Sequence, residues 1–293
     1  MGSIETLIAF KNGEIPKGLG LDAQNIDKYL VYKPNRFCCM VGRPNIGKTF
    51  FQFWYFLCLS KKHGLKWGIY SIENEIWVLK MYLMEFLAGA KIEDISERDL
   101  YDYDNWIEHH FKFIEQKSFT IEELLEIGKG LNVDGLFIDP YNALNKPAGN
   151  GHDYDYKAIR LIQDYKHNYG SVYINHHPVT PSQRRTIVDK NNEYFGYPDY
   201  MKYYDVEGGG KWFNACDSWV SLHRFTSHPT SWMLTSIMVE KEKVTQTGGN
   251  VTPQDQYILA EYKNNRFDLA GVDPLSDNKN LDFDADGVEE IVF

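Results

Sequence analysis

Gly42-Arg43-Pro44-Asn45-Ile46-Gly47-Lys48-Thr49 fits G-x-x-x-x-G-K-[ST], a spacing whose chemistry is phosphate binding. Glycines let backbone N–H groups wrap one anion, and a helix starting at the end of the loop adds the partial positive charge of its first turn. Lys48 would reach the β- and γ-phosphates of a nucleotide, and Thr49 would offer its hydroxyl to Mg2+. Asp139, closing Leu136-Phe137-Ile138-Asp139, has the chemistry to hold that Mg2+, usually through water. Glu73 is placed to polarise an attacking water, with Glu75 as the alternative base. His176 and His177 end another apolar run, where an imidazole can sense a γ-phosphate; the residues alone leave open which one does so.

These side chains need particular elements to hold them. Phe37-Cys38-Cys39-Met40-Val41, bounded by Pro34-Asn35, reads as a buried strand, and Phe50 to Leu59, apolar all round, as a buried helix. Strand, loop and helix are the context the phosphate pattern requires. Trp67 to Ile72 reads as a second strand, with the carboxylates of Glu73 and Glu75 at its carboxyl end, and Ile76 to Ala90 has helical periodicity. Residues 91–110 have irregular period; a strand at Phe111 to Ile114 and a helix capped by Thr120 follow. Val133 to Asp139, a helix over Tyr154 to Tyr169 and Ser171 to His177 continue the alternation. The pattern predicts an α/β fold, a mostly parallel twisted sheet with helices on both faces and its ligand at the strands' carboxyl ends. Pro178 to Gly210 is a long polar loop, a kind that is usually functional. Runs at Trp219–Phe225, Trp232–Val239 and Gln256–Tyr262 add antiparallel strands. The chain divides into an arm (1–35), one large domain (36–272) and an acidic tail (273–293).

With 43% hydrophobic and 15% aromatic content, 293 residues support a substantial core. Cys38, Cys39, Cys58 and Cys216 lack C-x-x-C spacing and read as reduced core thiols, so neither zinc nor a disulfide frame is implied. The apolar helix after the phosphate loop is too short to span a bilayer and no signal pattern opens the chain, so a cytoplasmic protein is expected. A net charge of −10 argues against coating nucleic acid with the whole surface but leaves room for a local basic channel.

These motifs resemble the RecA-like P-loop motor domain of hexameric replicative helicases, the DnaB family that includes phage primase-helicases and mitochondrial Twinkle. The resemblance covers roughly residues 12–270. Gly42 to Thr49 is similar to the family's [AG]-R-P-x-M-G-K-T; Tyr70-Ser71-Ile72-Glu73-Asn74 to F-S-L-E-M, whose Glu is the catalytic base; and Ile138-Asp139 to the Walker B pair. Asn175-His176-His177 falls where some phage members have C-H-L, which favours His176 as the sensor. Asp205-Val206-Glu207-Gly208-Gly209-Gly210-Lys211 resembles the DNA-contacting D-L-R-G-S-G, but with Glu207 in place of a basic residue.

The resemblance implies ATP and Mg2+ as cofactors, single-stranded DNA as partner, and a ring, commonly of six, with hydrolysis at subunit interfaces. The family's K-x-R finger is matched by Lys241-Glu242-Lys243, similar to the paired interface lysines of RecA, whereas Arg266 lies one strand too far on and reads as structural. Lys146, Arg184, Arg185 and Lys211 are the candidate DNA contacts; a few cations repeated around a ring suffice even on an acidic protein. The acidic tail from Asp282, ending in Phe293, resembles docking tails that meet a polymerase or single-strand-binding protein. Two other classes fit the phosphate loop: a RecA-like recombination or loader ATPase that does not unwind, and a monomeric small-molecule kinase.

Overall fold

The computed structural model describes residues 3–15, 17–146, 151–254 and 256–276; the docking-tail segment from Asp282 lies outside them. Two short helices, α1 (Ser3–Lys11) and α2 (Gln24–Asp27), lead into β1 (Phe37–Val41), and the phosphate-binding pattern runs straight into α3 (Lys48–His63). Apolar on every side, α3 is buried from Phe51 to Ser60. The chain continues through β2 (Trp67–Ser71), α4 (Ile76–Ala88), α5 (Glu97–His110), β3 (Phe111–Phe113), α6 (Ile121–Gly130) and β4 (Gly135–Asp139). Next come α7 (Gly151–Asn168), β5 (Ser171–His176), α8 (Thr180–Gln183), α9 (Gly209–Ala215) and the strands β6 (Ser218–Arg224), β7 (Leu234–Glu242), β8 (Ile258–Lys263) and β9 (Arg266–Asp268).

The strands form one sheet in the order β3-β2-β4-β5-β1-β6-β7-β8-β9, parallel from β3 to β6 and antiparallel beyond, as the alternation predicts. β1 lies between β5 and β6, with Val41 in register with both His176 and Ser221. β2 pairs with β4, Ser71 opposite Asp139. The four functional strand ends therefore meet at one edge of the sheet. On one face α3, α4 and α5 enclose Phe53, Trp54, Phe56 and Trp67; on the other α6, α7 and α9 cover Ile138, Ile174 and Trp219.

Where the period was irregular, the chain forms α5. Ser96 caps it by accepting the Asp99 N–H at 3.2 Å, while only Trp106, Ile107 and His110 are buried, too narrow an apolar stripe to show as a period. The Asn264-Asn265 turn joins β8 to β9 with both residues left-handed (φ 49° and 55°). It delivers Arg266 to the carboxyl end of α4, where Nε donates to Phe86 O at 2.7 Å and the guanidinium pairs with Asp273. That is the structural role its position implied.

The long loop is ordered by packing rather than by regular structure. Tyr194 stacks on Phe225 with ring centroids 3.9 Å apart, Tyr200 lies 4.2 Å from His223, and Tyr203 stacks on Phe213. Its tyrosines are thus held by β6 and α9. A 3-10 turn at Tyr203–Asp205 rests against the start of α9, where a Cβ on Gly209 would come within 1.8 Å of Tyr203 O, so only glycine fits.

His223 sits beneath this loop at 1% exposure, neither ring nitrogen hydrogen-bonded. Burial, with the nearby Arg43 charge, lowers its pKa to about 4. Below the unfolded value of 6.5 the unfolded chain takes up a proton that the folded chain refuses, so this group's share of stability is present above pH 6.5 and lost as pH falls towards 4. His223→Phe, which fills the same space without that liability, should remove about 2 kcal/mol of the stability loss between pH 6.5 and 5. Urea unfolding of both proteins at the two pH values measures this; equal pH slopes would refute it.

Candidate nucleotide site

The phosphate loop leaves β1 at Val41 and coils through two left-handed residues, Asn45 (φ 60°) and Gly47 (φ 89°), before α3 begins at Lys48. Gly42 has no room for a side chain: a Cβ would meet Ile46 Cδ1 at 2.5 Å and Leu222 O at 2.9 Å. Lys48 Nζ donates to Gly42 O and Arg43 O, both at 3.0 Å. Burial lowers the lysine's pKa, opposed by the Asp139 and Glu73 charges. The cation is therefore held over the loop's mouth, facing two carboxylates.

Thr49 Oγ1 donates to Asp139 Oδ2 at 2.6 Å, and Asn175 Nδ2 donates to Asp139 Oδ1 at 2.9 Å. Three elements, α3, β4 and β5, thus converge on one carboxylate at 1% exposure. A hydroxyl and a fixed carboxylate form the hard oxygen set that Mg2+ prefers, and the buried Asn175 Oδ1 beside them has no partner of its own. The residues fit a magnesium–phosphate group. Asn175 was not singled out in the sequence; its signal is strand alternation, which puts it on the same face as His177.

A cavity of about 530 Å³ opens above these groups, lined by Pro44, Asn45, Gly47, Lys48, Thr49, Phe50, Glu73, Asn74, Tyr82, Asp139 and His177. Glu73 faces it, with Oε1 3.7 Å from His177 Nε2. Glu75 turns aside to accept the Trp77 indole N–H, which leaves Glu73 the better placed base. His177 is half-buried, its pKa lowered by burial and by Lys48, and its N–H donates to Asn142 Oδ1 at 3.2 Å. His176 lies on the other face of the sheet. It stacks on Trp219 with centroids 5.7 Å apart, packs against Trp212 and Tyr141, and is lowered to a pKa of about 3 by burial. Successive residues of a strand face opposite ways, so with Asn175 on Asp139, His177 rather than His176 reaches the cavity. Of the loop itself, Ile46 is buried in the core and the Arg43 side chain leaves the cavity altogether.

Lys241 and Lys243 stand at the far edge of the sheet. Lys241 and Glu242 register with Trp219 and Ser218, and these with Cys39 and Cys38, at the amino end of β1. Lys241 Nζ donates to Phe213 O and Asn214 O at the end of α9, and Lys243 pairs with Asp217 at 3.3 Å. Neither lysine approaches the cavity of its own chain.

The four candidate DNA cations separate. Arg184 is exposed. Lys146 lies over the Tyr141 ring, 3.7 Å from Asp155 Oδ1. Lys211 pairs with Asp155 at 2.9 Å and is 11% exposed. Arg185 is clamped by Asp199 at 2.9 Å and bidentately by Asp205 at 2.8 and 2.9 Å. Arg185 and Lys211 are thus internal ion pairs rather than outward contacts, because each side chain finds a buried or half-buried carboxylate first.

The fold is RecA-like, with the phosphate loop at the carboxyl end of its central strand, and the resemblance to DnaB-family motor domains holds at the level of structure. The chain matches a solved DnaB-like helicase ATPase domain with a TM-score of 0.68 at 13% identity, covering 91% of this chain and 98% of that one. It matches a DnaB-like replicative helicase at 0.66 and 13%, covering 90% of this chain and 65% of that one. The RadB recombinase aligns at 0.54 and 11%, covering 84% of this chain and 97% of that one. In sequence, it is 24% identical over 229 residues to a chloroplastic/mitochondrial Twinkle homolog of Arabidopsis thaliana, covering 71% of this chain but only 30% of that protein's length. No protein-family model matches. Among the described residues, no helix is long and apolar enough to cross a membrane.

Proposed function

We propose that the chain is an ATP-dependent replicative DNA helicase motor that translocates on single-stranded DNA as a cytoplasmic ring, with ATP hydrolysed at subunit interfaces. The observation that carries this is the bonded set Thr49–Asp139–Asn175 facing Glu73 and His177 across one cavity, on a fold shared with DnaB-like ATPase domains. Lys48 and the amino end of α3 bind the phosphates; Thr49 and Asp139 hold Mg2+, which supplies neutralising charge to them. Glu73 takes the proton of the attacking water, and His177, bonded to neither Thr49 nor Asp139, senses the γ-phosphate. No strong cation besides Lys48 lines the cavity, which supports a Lys241 or Lys243 donated from the next subunit. Arg184, with Lys146, repeated around the ring, meets the DNA backbone. The arm packs on a neighbouring subunit, which the exposed apolar side chains Ile4 (65%), Leu7 (62%) and Ile8 (51%) of α1 support.

Mass measurement with a non-hydrolysable ATP analogue, with and without single-stranded DNA, should give hexamers, and hydrolysis should be DNA-stimulated. A monomer with DNA-independent turnover would replace this reading with the small-molecule kinase. The paired lysines and the likeness to a recombinase favour a second reading, a ring or filament ATPase that binds DNA without unwinding. DNA-stimulated hydrolysis with no separation of a forked duplex would select it.

A further inference from the structure

Arg43 belongs to the phosphate loop, yet its guanidinium serves another segment. Nε donates to Asp199 O at 3.2 Å, Nη2 to Arg185 O at 2.6 Å and Nη1 to Gln183 O. All three acceptors are main-chain carbonyls of the loop between β5 and α9. Two of them flank Arg184. That loop is a body in its own right: Asp199 N–H returns to Arg185 O at 3.0 Å, Ile187 N–H to Tyr197 O and Gly196 N–H to Ile187 O, both at 2.9 Å. On its other side, Arg43 offers its own carbonyl to Lys48 Nζ at 3.0 Å. A phosphate competes for that same ammonium. One residue thus joins the group that meets phosphate to the segment that carries Arg184.

We propose that Arg43 is a positioning residue that couples phosphate binding at Lys48 to the 183–199 segment and, through it, to the exposed Arg184. As Lys48 turns to a phosphate, the Arg43 peptide loses that bond and re-seats, and the planar fork carries the shift to the carbonyls on both sides of Arg184. That the shift is read out on single-stranded DNA rests on the function proposed above; the coupling itself does not.

Hydrogen exchange on the full chain without DNA, with and without saturating Mg2+ and a non-hydrolysable ATP analogue, tests the coupling separately. In the wild type, the amides of Ile187, Gly196 and Asp199 should change their exchange rates by about fivefold on nucleotide binding. In Arg43→Lys, which keeps a charge but cannot bridge three carbonyls, and in Arg43→Ala, these amides should exchange about tenfold faster and ignore the nucleotide. The Phe51 amide, bonded to Gly47 O, reports occupancy in each protein. A loop held only structurally would loosen equally with and without nucleotide. The proposal is overturned if the wild-type loop ignores a nucleotide that Phe51 registers, or if the response survives in Arg43→Lys. Should hydrolysis prove insensitive to DNA, the helicase reading falls while this result stands.

Discussion

Glu73→Gln should leave the nucleotide bound and nearly abolish its hydrolysis, lowering kcat by about 10²- to 10⁴-fold, the range a positioned general base contributes. Glu73 stands two residues beyond Ser71, which registers with Asp139, so the sheet delivers its carboxylate to the cavity that holds Lys48 and Thr49. At 47% exposure the side chain carries little of the fold, and Gln keeps its volume, so stability should move by no more than about 0.5 kcal/mol. The loss should fall on kcat with nucleotide affinity nearly unchanged, since a base acts only in the transition state. Glu75→Gln is the control. Its carboxylate faces Trp77, and it should change turnover by less than about threefold. Single-turnover hydrolysis beside a fluorescent-nucleotide titration separates these effects; a dead Glu75→Gln with an active Glu73→Gln would reverse the assignment.

What could be read from the sequence was whatever local chemistry constrains. The phosphate loop needs glycines, a lysine and a hydroxyl at fixed spacing between a strand and a helix, and Asp139 had to close a buried strand; the structure joins Thr49 to Asp139 at 2.6 Å. Sheet order followed from alternation. The sensor was misassigned for a physical reason: similarity to C-H-L weighs residue types, whereas the face a side chain takes is set by the strand's phase, fixed here by Asn175 bonding Asp139. The basic residues failed differently. A charge is visible in sequence but its partner is not: Arg185 finds Asp199 and Asp205 fourteen and twenty positions away, and Lys211 finds Asp155 fifty-six away. The tyrosines of the long loop likewise pack on Phe225, His223 and Phe213, contributed by segments that follow. Long-range pairing, not propensity, decided every one of these.

Lys243→Ala should lower turnover by about 10²-fold, less than the loss of an arginine finger because an ammonium lacks the bidentate fork. The same substitution should barely affect folding. Asp217 keeps Lys166 and still accepts the Phe37 N–H at 2.9 Å, and the Lys243 side chain is 42% exposed, so its pair contributes about 1 kcal/mol or less. Lys241→Ala is less clean, since it also strips the carbonyls of Phe213 and Asn214 at the end of α9. The decisive measurement mixes Lys243→Ala with wild-type chains at constant total protein. Its position at the sheet edge opposite the phosphate loop means that any action on a γ-phosphate must cross to another subunit. If six sites fire in order, an equal mixture retains about 2% of wild-type activity, against about 50% if each chain works alone. A proportional decline would confine Lys243 to its own Asp217 and remove the shared site. A steep decline with an unchanged urea midpoint would make the neighbour's lysine part of each hydrolytic centre.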